Sequence, residues 1–415
     1  MLKKIAIQHL RRGMYIQEFC ASWMEHPFWR SAFLLRDPKD FTRILESGIS
    51  ELWIDTSKGL DVEAGQTKEA ADAEVAEELS RVAEEPPSEP PQPQVSVERV
   101  AIGQELVLAR KTVERAKTAV ASMFQEVRMG KALDANEALP VVEEIASSVS
   151  RNPGALISLV RLKNKNEYTY MHSVAVCALM VALARQLGLD EKQTREAGLA
   201  GLLHDLGKMM IPAEILDKPG KLTDEEFGVI KSHPEEGYKL LLEGRNVSEA
   251  VMDVCIHHHE KVDGTGYPHR LTDDQISLFA KMGAVCDVYD AITSDRPYKA
   301  GWAPAESLRK MAMWATGHFD QRVFHAFIKS VGIYPIGSLV RLESGRLGVV
   351  VDQAAQSLLS PRVKVFFSTK ANIRIPHEVL DLDQLGAKDK IVAHEDAAKW
   401  GFHNLNEIWG GAAGG

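Results

Sequence analysis

Hydrophobic residues recur every three or four positions through much of the chain, beginning in the segment 99–160. A repeat of this length places apolar side chains on one face of a helix. The first such stripe consists of Leu106, Val113, Ala116 and Val120, and a second helical stretch covers 139–149. We therefore predict helices that pack this face against the rest of the chain or, alternatively, against a second protomer in a homodimer.

The same period continues from residue 171 to residue 294, but here polar residues interrupt the apolar stripes. We predict helices over 171–187, 196–206, 248–260 and 275–294. Gly207 is a natural end for the second of them. His172, His258 and Asp287 each fall on the apolar face of a predicted helix. An unpaired imidazole or carboxylate on such a face is costly, so we expect these groups to have partners.

The two ends of the chain follow a different pattern. In the first 58 residues, two strand-like runs and a short helix are predicted at 14–16, 52–55 and 39–47. Beyond residue 330, short β-branched runs separated by turns cover 338–342, 345–352 and 362–367. We therefore predict a small mixed α/β N-terminal accessory domain over 1–60, a β-rich extension over 333–385 and a peripheral tail over 386–415.

The segment 61–98 changes in composition. It holds eleven acidic residues and a cluster of five prolines between Pro86 and Pro93. Such a sequence buries too little apolar surface to offset the entropy lost when it is ordered. We predict a linker whose first half, over 69–81, forms at most a transient helix. Connecting helices over 99–150 then lead to a central domain, which we place at 151–332.

Length and charge restrict the classes of function. At 415 residues the chain is long enough for roughly two or three domains. Its net charge of −9 argues against nucleic acid or an anionic membrane as the main partner, because those surfaces require a basic face. The four cysteines lack a CxxC spacing, and the N-terminus lacks a signal-peptide pattern. We find no run of about 18 apolar residues, and we expect a cytoplasmic protein without disulfide bonds.

Histidines are concentrated in the middle of the chain. Seven of the fourteen lie between residues 172 and 269: His172, His204, His233, His257, His258, His259 and His269. The alternative to a metal site is a set of core histidines with ordinary hydrogen-bond partners and a buried ion pair. We favour a metal site, because separate helices each direct a histidine or aspartate inwards. Imidazole and carboxylate without thiolate suit iron or manganese, with zinc or nickel as alternatives.

Several motifs in this region resemble one known family. They are His204-Asp205-Leu206-Gly207-Lys208, His258-His259-Glu260, Asp263-Gly264-Thr265-Gly266-Tyr267-Pro268, Asp287-Val288-Tyr289-Asp290-Ala291 and Asp295-Arg296-Pro297-Tyr298-Lys299. Together they resemble the signature of HD-GYP domains, phosphodiesterases of the HD superfamily that hydrolyse cyclic di-GMP. The match runs over most of the central domain. The resemblance implies a mainly α fold, with an HD-type helical bundle as its metallohydrolase core.

The resemblance also implies two divalent metal ions, iron or manganese being the expected elements. One would bind His172, His204, Asp205 and Asp287, and the other would bind His233, His258 and His259 with Asp205 as a bridge. Some members of the family hold a third metal through a glutamate four residues before the first histidine. Tyr168 occupies that place here, and Glu167 is one residue away from it. We therefore expect two metals rather than three.

Substrate contacts follow from the same resemblance. Lys208 comes three residues after Asp205, which returns its amine to the metal side for a catalytic role; its alternative is to stabilise the end of the helix. Arg296 and Lys299 resemble the family's substrate clamp, and their alternative is that of solvated surface bases. Tyr267 would contact the substrate or pack the turn, and its Gly-Tyr-Pro loop would also recognise a protein partner.

These features predict an enzyme that hydrolyses cyclic di-GMP to linear pGpG, with a further step to GMP left open. A hydroxide that bridges the two metals would attack the phosphodiester in line. One alternative is a signalling protein that binds cyclic di-GMP, or a partner at the Gly-Tyr-Pro loop, with little turnover. Another is hydrolysis of a different cyclic or linear nucleotide, because the metal ligands detect phosphate rather than guanine.

Overall fold

Helices dominate the protein, and a small antiparallel sheet lies towards each end of the chain. The structure, a computed structural model, describes residues 1–20, 32–85, 99–162, 168–218, 220, 222–294, 301–354, 357–384, 387 and 389–410. The predicted mainly α fold class is confirmed: a helical core lies between a mixed α/β N-terminal region and a β-rich C-terminal region.

The N-terminal sheet has its own hydrophobic core. Its strands are β1 (Leu2–Ala6), β2 (Tyr15–Phe19), β3 (Phe33–Leu34), β4 (Glu51–Asp55) and β5 (Gln66–Thr67), and one helix, α1 (Pro38–Glu46), lies between β3 and β4. The strands are antiparallel in the order β3-β2-β4-β1-β5. Asp37 caps α1 by accepting a hydrogen bond from the Lys39 amide at 2.8 Å, and Ile44 of α1 packs among the strand residues. The predicted strands and short helix are therefore present.

The helical bundle follows and contains most of the buried residues. Its helices are α2 (Lys68–Glu84), α3 (Ile102–Arg128), α4 (Leu139–Arg151), α5 (Pro153–Val160), α6 (Tyr168–Gln186), α7 (Glu191–Leu203), α8 (Ala213–Leu216), α9 (Asp224–Lys231), α10 (His233–Leu242), α11 (Glu249–His257), α12 (Leu278–Thr293), α13 (Pro304–His318) and α14 (Gln321–Val331). The apolar stripe of α3 packs against α4, α5 and α6 of the same chain. Contacts within one chain therefore account for the burial of this stripe.

Helix α6 is the centre of the bundle. It contacts α3, α4, α5, α7, α12 and α14, and every residue from Met171 to Ala184 is buried. By length and composition alone α6 could cross a membrane, a property that the search for a continuous apolar run missed. Because 78% of its apolar window is buried inside the protein, its composition is that of a core helix.

Part of the segment predicted as a linker is a packed helix. Helix α2 buries Ala71, Val75, Leu79 and Val82, which join the main hydrophobic core. Glu78 of α2 and Glu85, the C-cap of this helix, also contact α14: the Glu78 carboxylate lies 3.2 Å from Nε2 of His325, and Glu85 forms an ion pair with Lys329 at 3.1 Å. An isolated helix of this composition is marginal, but tertiary packing of one apolar stripe is enough to stabilise it. The proline cluster from Pro86 to Pro93 lies outside the described residues.

Leu79→Ala tests whether α2 is part of the folded core. The leucine is only 6% exposed, and truncation of a buried leucine to alanine costs about 2–5 kcal/mol. We expect urea denaturation to show a decrease in the free energy of unfolding of about 2 kcal/mol or more. Leu108→Ala, at an exposed leucine of α3, should change it by less than about 0.5 kcal/mol. Equal effects in the two variants would show that α2 does not pack as described.

Two of the predicted helices end earlier than expected. Helix α7 ends at Leu203 instead of residue 206, and α11 ends at His257 instead of residue 260. The next residues, His204 and His258, are the C-caps, and their Nδ1 atoms lie 2.8 Å and 2.9 Å from carbonyl oxygens of the last turn. Side chains that bond the last carbonyls of a helix favour its termination.

The C-terminal sheet is larger than predicted. Its strands are β6 (Leu339–Leu342), β7 (Arg346–Asp352), β8 (Arg362–Ser368), β9 (Ile373–Asp381) and β10 (Ile391–His394), in the order β10-β6-β7-β8-β9. The segment predicted as a peripheral tail is integrated into the fold: β10 pairs with β6, and the short helix α15 (Leu405–Gly410) buries Trp409 in the main core. Strand β9 has no buried residue, so the alternation that identifies a half-buried strand is absent from it.

Candidate metal centre

The seven residues predicted as metal ligands meet at the centre of the bundle. They come from α6, the end of α7, the start of α10, the end of α11 and the middle of α12: His172, His204, Asp205, His233, His258, His259 and Asp287. Their exposed fractions range from 0% to 8%. Pro234 lies in the first turn of α10, where its missing amide costs nothing, and this places His233 at the helix entry.

Asp205 occupies the middle of the cluster. Its Oδ2 atom lies 3.2 Å from Nε2 of His172 and 3.4 Å from Nε2 of His204. Its Oδ1 atom lies 3.2 Å from Nε2 of His233 and 3.9 Å from Nε2 of His258. The two oxygens of one carboxylate therefore face two different pairs of imidazoles, which is the arrangement that a bridging ligand requires.

Asp287 closes one side of the cluster. Its Oδ1 atom lies 2.9 Å from Nε2 of His172 and 3.8 Å from Nε2 of His204, while Oδ2 lies 3.8 Å from Nδ1 of His259. Three groups of ligand atoms have all members within 4.8 Å of one another: His172 with His204 and Asp287, His204 with Asp205 and His258, and His233 with His258 and His259. The donors thus form two adjoining groups around Asp205.

The hydrogen bonding of this cluster fits divalent cations. Buried polar atoms without a hydrogen-bond partner include Nε2 of His172, His204 and His259, Oδ1 of Asp205 and both carboxylate oxygens of Asp287. Buried polar groups in proteins almost always have partners, so a group of unpartnered atoms in one place needs an explanation. Cations between these imidazoles and carboxylates would satisfy them, and hard or borderline divalent metals prefer such donors.

The orientation of most of these imidazoles is set by backbone carbonyls. The Nδ1 atoms of His204, His233 and His258 lie 2.8 Å, 2.7 Å and 2.9 Å from the carbonyl oxygens of Gly201, Ile230 and Cys255. An Nδ1–H group that donates to a carbonyl leaves Nε2 as the lone-pair donor. Each of these rings therefore presents its Nε2 atom to the centre.

His172 is held differently, by a carboxylate. Its Nδ1 atom lies 2.6 Å from Oδ2 of Asp290, which is 3% exposed and follows Asp287 by one helical turn. Sequence analysis assigned no role to Asp290. The available signal was the spacing of two aspartates three residues apart on one face of α12. Tyr168 stacks on the same imidazole with ring centroids 5.7 Å apart, whereas Glu167 lies outside the described residues.

The charges of the cluster are strongly coupled. Burial opposes ionisation of Asp205, but Lys208 and His204 hold the pKa of its carboxyl well below the usual range. Burial likewise opposes protonation of His204, yet Asp205 and Asp287 raise the pKa of this imidazole to about 10. Burial together with His204 and His233 lowers the pKa of His258 to about 3. The carboxylates beside His204 thus stabilise its protonated form, whereas the surroundings of His258 stabilise the neutral imidazole, which is the form that binds a metal.

The structure describes two of the four residues that were predicted to contact the substrate. Lys208 is 8% exposed, and its ammonium forms an ion pair with Asp205, so the amine does return to the cluster. Tyr267 stacks on His259 with ring centroids 4.7 Å apart, and the ammonium of Lys231 lies 4.8 Å from the Tyr267 ring centroid. Arg296 and Lys299 lie outside the described residues.

Two further residues of the motifs lie beside the cluster without contributing to it. The carboxylate of Glu260, 2% exposed, accepts hydrogen bonds from the amides of His269 at 2.6 Å and Leu271 at 3.0 Å, which holds the Gly-Tyr-Pro loop against α11. His257 points away from the cluster and pairs with Asp253 at 2.7 Å and His269 at 3.0 Å. The histidine-rich motif therefore contributes only His258 and His259 to the centre.

Comparisons with known proteins show which families this chain resembles. The HD domain family matches residues 140–323, and a family described as a domain of unknown function, DUF3391, matches residues 2–138. A cyclic di-GMP phosphodiesterase of Pseudomonas aeruginosa is 57% identical over 414 residues, which is 100% of this chain and 97% of that protein. A 3'3'-cGAMP-specific phosphodiesterase of Vibrio cholerae is 36% identical over 169 residues, 40% of this chain and 38% of that protein.

Among solved structures, an HDG"Y"P protein from Bdellovibrio bacteriovorus is similar to this chain. The similarity covers 79% of this chain and 99% of that one, with 17% identity and a TM-score of 0.45.

Proposed function

The chain belongs to the HD-GYP family of cyclic di-GMP phosphodiesterases, and on that premise we propose that it hydrolyses cyclic di-GMP to linear pGpG at the buried cluster around Asp205. The observation that carries the proposal is the position of Asp205, whose two carboxylate oxygens face separate pairs of imidazoles. Its support from relatives is the full-length similarity to a cyclic di-GMP phosphodiesterase.

Two divalent cations fit the two groups of donors, and iron or manganese suits imidazole with carboxylate. We assign His172, His204 and Asp287 to one cation, and His233, His258 and His259 to the other, with Asp205 shared. When bound, such a pair supplies an activated water and positive charge for the phosphoryl oxygens. Tyr168 offers a phenol in place of a carboxylate, so the proposal includes no third cation.

The protein's own groups would position the phosphodiester. We propose that the Lys208 ammonium, held beside Asp205, contacts a non-bridging phosphoryl oxygen, where negative charge grows during the reaction. Arg296 and Lys299 would hold the second phosphate of the dinucleotide, and Tyr267, which packs on His259, would form one wall of the substrate site. Burial of the cluster excludes bulk water and so strengthens these electrostatic contacts.

The test of this function is turnover by purified, metal-loaded protein. We expect chromatography to show conversion of cyclic di-GMP to pGpG, and continued incubation shows whether GMP follows. Tight binding of cyclic di-GMP without product would instead favour the signalling alternative. Faster hydrolysis of 3'3'-cGAMP than of cyclic di-GMP would assign the enzyme to the other substrate.

The cysteines Cys20, Cys177, Cys255 and Cys286 are free and buried, which supports the proposed cytoplasmic location.

Asp290→Asn should weaken metal binding without removing a metal ligand. The substitution keeps the shape of the side chain but removes the charge that orients and polarises His172, and loss of such an outer partner typically costs about 10–100-fold in metal affinity. Competition with a chelator should show this loss for one of the two bound metals. The matched control is Asp253→Asn, because Asp253 contacts His257 at 2.7 Å outside the cluster. Unchanged affinity for both metals in Asp290→Asn would contradict the positioning role.

A further inference from the structure

A cavity of about 510 Å³ lies behind the metal centre, where three parts of the chain meet. Its walls include Val82 of α2, Leu179 and Arg185 of α6, Asn152 at the start of α5, and Gln353 and Leu358 after β7. Ligand sites in proteins have volumes of roughly 300–1,000 Å³ and occur preferentially where domains meet. The predicted metal ligands do not line this cavity, and neither do Lys208 and Tyr267, the predicted substrate contacts that the structure describes.

The cavity walls contain polar atoms that lack partners. Nδ2 of Asn152 donates to the carbonyl of Val100 at 3.1 Å, but Oδ1 has no partner although the residue is only 1% exposed. Nε2 of Gln353 donates at 2.7 Å to a carbonyl, and its Oε1 has no partner. Arg185 donates to Glu191 through Nη2 at 3.0 Å, while its buried Nε has no partner.

These three atoms belong to residues that line the same cavity. In the described part of the chain, six buried side-chain polar atoms outside the predicted metal ligands lack a hydrogen-bond partner, and the three named above line this one cavity. A buried polar group without a partner is unfavourable, so a ligand that pairs with all three would gain affinity from each. Such a ligand must offer two donors and one acceptor.

The arginine and apolar side chains that line the cavity restrict the chemical class of the ligand. Arginine side chains Arg99, Arg151 and Arg161 also line the cavity. Arg151 uses Nε and Nη2 for Glu105, at 2.7 Å and 2.9 Å, and a guanidinium has five N–H donors in all. Arg151 therefore keeps N–H donors for a phosphate, while Val82, Leu179 and Leu358 form apolar walls for a flat ring.

We propose that this cavity binds a guanine nucleotide of mononucleotide size. The base edge of guanine carries N–H donors for the two amide oxygens and the O6 acceptor for the Arg185 Nε–H group. The phosphate would lie against the remaining N–H groups of Arg151, and the cavity volume accommodates one nucleotide. The adenine edge has a donor in place of the O6 acceptor, so the site should discriminate between the two bases.

The cavity also reaches the residue that orients His172. Asp290 lines it and accepts from the His172 ring, with 2.6 Å between Oδ2 and Nδ1. A bound nucleotide that donates a hydrogen bond to the Asp290 carboxylate would weaken the hydrogen bond between Asp290 and His172. Occupancy of the cavity should therefore lower kcat with little effect on KM. This consequence rests on the proposed hydrolysis, whereas the binding itself does not.

Calorimetric titration of the full-length, metal-loaded protein with GMP tests the proposal. GMP can also bind a phosphodiesterase centre, so variants must separate the two sites. Ala83→Phe places a ring into the cavity from α2, and Ala73→Phe is the matched control at an exposed position of the same helix. We expect Ala83→Phe to remove one GMP equivalent and the decrease of kcat by GMP, and Ala73→Phe to retain both.

Arg185→Lys supplies a second, milder variant. It keeps the positive charge beside Glu191 but removes the unpartnered Nε–H donor, and we expect GMP to bind about tenfold more weakly, with AMP little affected. Circular dichroism and metal content would verify the fold, and if Ala83→Phe does not fold, Arg185→Lys decides. Equal GMP affinity in the wild type and both variants, or AMP binding as tight as GMP, would overturn the proposal. Loss of hydrolysis with GMP binding intact would refute only the proposed function.

Discussion

Asp205→Ala is expected to lower turnover of cyclic di-GMP by at least about 1,000-fold, because it removes the group shared by both halves of the cluster. Four imidazole nitrogens lie within 3.9 Å of its two oxygens. Loss of the carboxylate therefore removes the anionic ligand that the two groups of donor atoms share. Elemental analysis should show that the purified variant has lost most of both metals.

Asp205→Asn refines this experiment. The amide preserves the shape of the side chain but cannot act as an anionic bridge, so we expect the same losses of metal and turnover. Asp274→Ala, at an exposed aspartate, is the control and should keep both. If Asp205→Asn retained both metals and more than about a tenth of the turnover, the bridging role assigned to Asp205 would be wrong, because removal of a single essential electrostatic group typically costs about 100–1,000-fold.

Lys208→Met is expected to lower kcat by about 100–1,000-fold while both metals remain bound. The ammonium is buried beside Asp205 but is not a metal ligand, because a protonated amine has no lone pair. Its removal deletes a fixed positive charge near the developing phosphoryl charge and keeps the aliphatic length of the side chain. Steady-state kinetics at saturating metal, together with elemental analysis, would measure both effects.

A matched control is available for this lysine. Lys239 also follows a carboxylate by three residues on a helix, pairing with Glu236 at 2.7 Å, but its side chain is 65% exposed. Lys239→Met should leave kcat within about twofold of the wild type, because an exposed ion pair contributes only about 0–1 kcal/mol. A decrease of kcat in Lys208→Met that is accompanied by loss of metal would assign Lys208 to the assembly of the centre rather than to the substrate.

Local sequence was sufficient for the elements that carry the centre. The apolar sequence of α6 and the proline in the first turn of α10 are properties of neighbouring residues, so they could be interpreted without coordinates. The prediction that Gly207 ends α7 was wrong, because the helix ends at Leu203 and Gly207 lies within a 3-10 helix, Leu206–Met210. The motifs around His204 and Asp287 carried the resemblance to the HD-GYP family, and the comparisons confirm that membership. Arg296 and Lys299 remain predictions, because they lie outside the described residues.

Other features of the fold depended on tertiary contacts between elements that are distant in the sequence. The composition of α2 indicated a linker, but its apolar stripe is buried against helices that begin more than 200 residues later in the chain, beginning with α13 at Pro304. In contrast, the helical pattern and the family resemblance already favoured His258 over the adjacent His257. In the structure His258 lies 3.9 Å from Asp205, whereas His257 contacts Asp253.

By itself the sequence determined the helices, their inward-facing histidines and aspartates, and the family, because periodicity and motif spacing are recorded locally along the chain. The family resemblance already gave Asp205 as the bridge, and only the tertiary structure decided that Asp290 orients His172 across a separation of 118 residues. Contacts of that kind arise from the packing of α6 against α12, and spacing within either helix does not encode them.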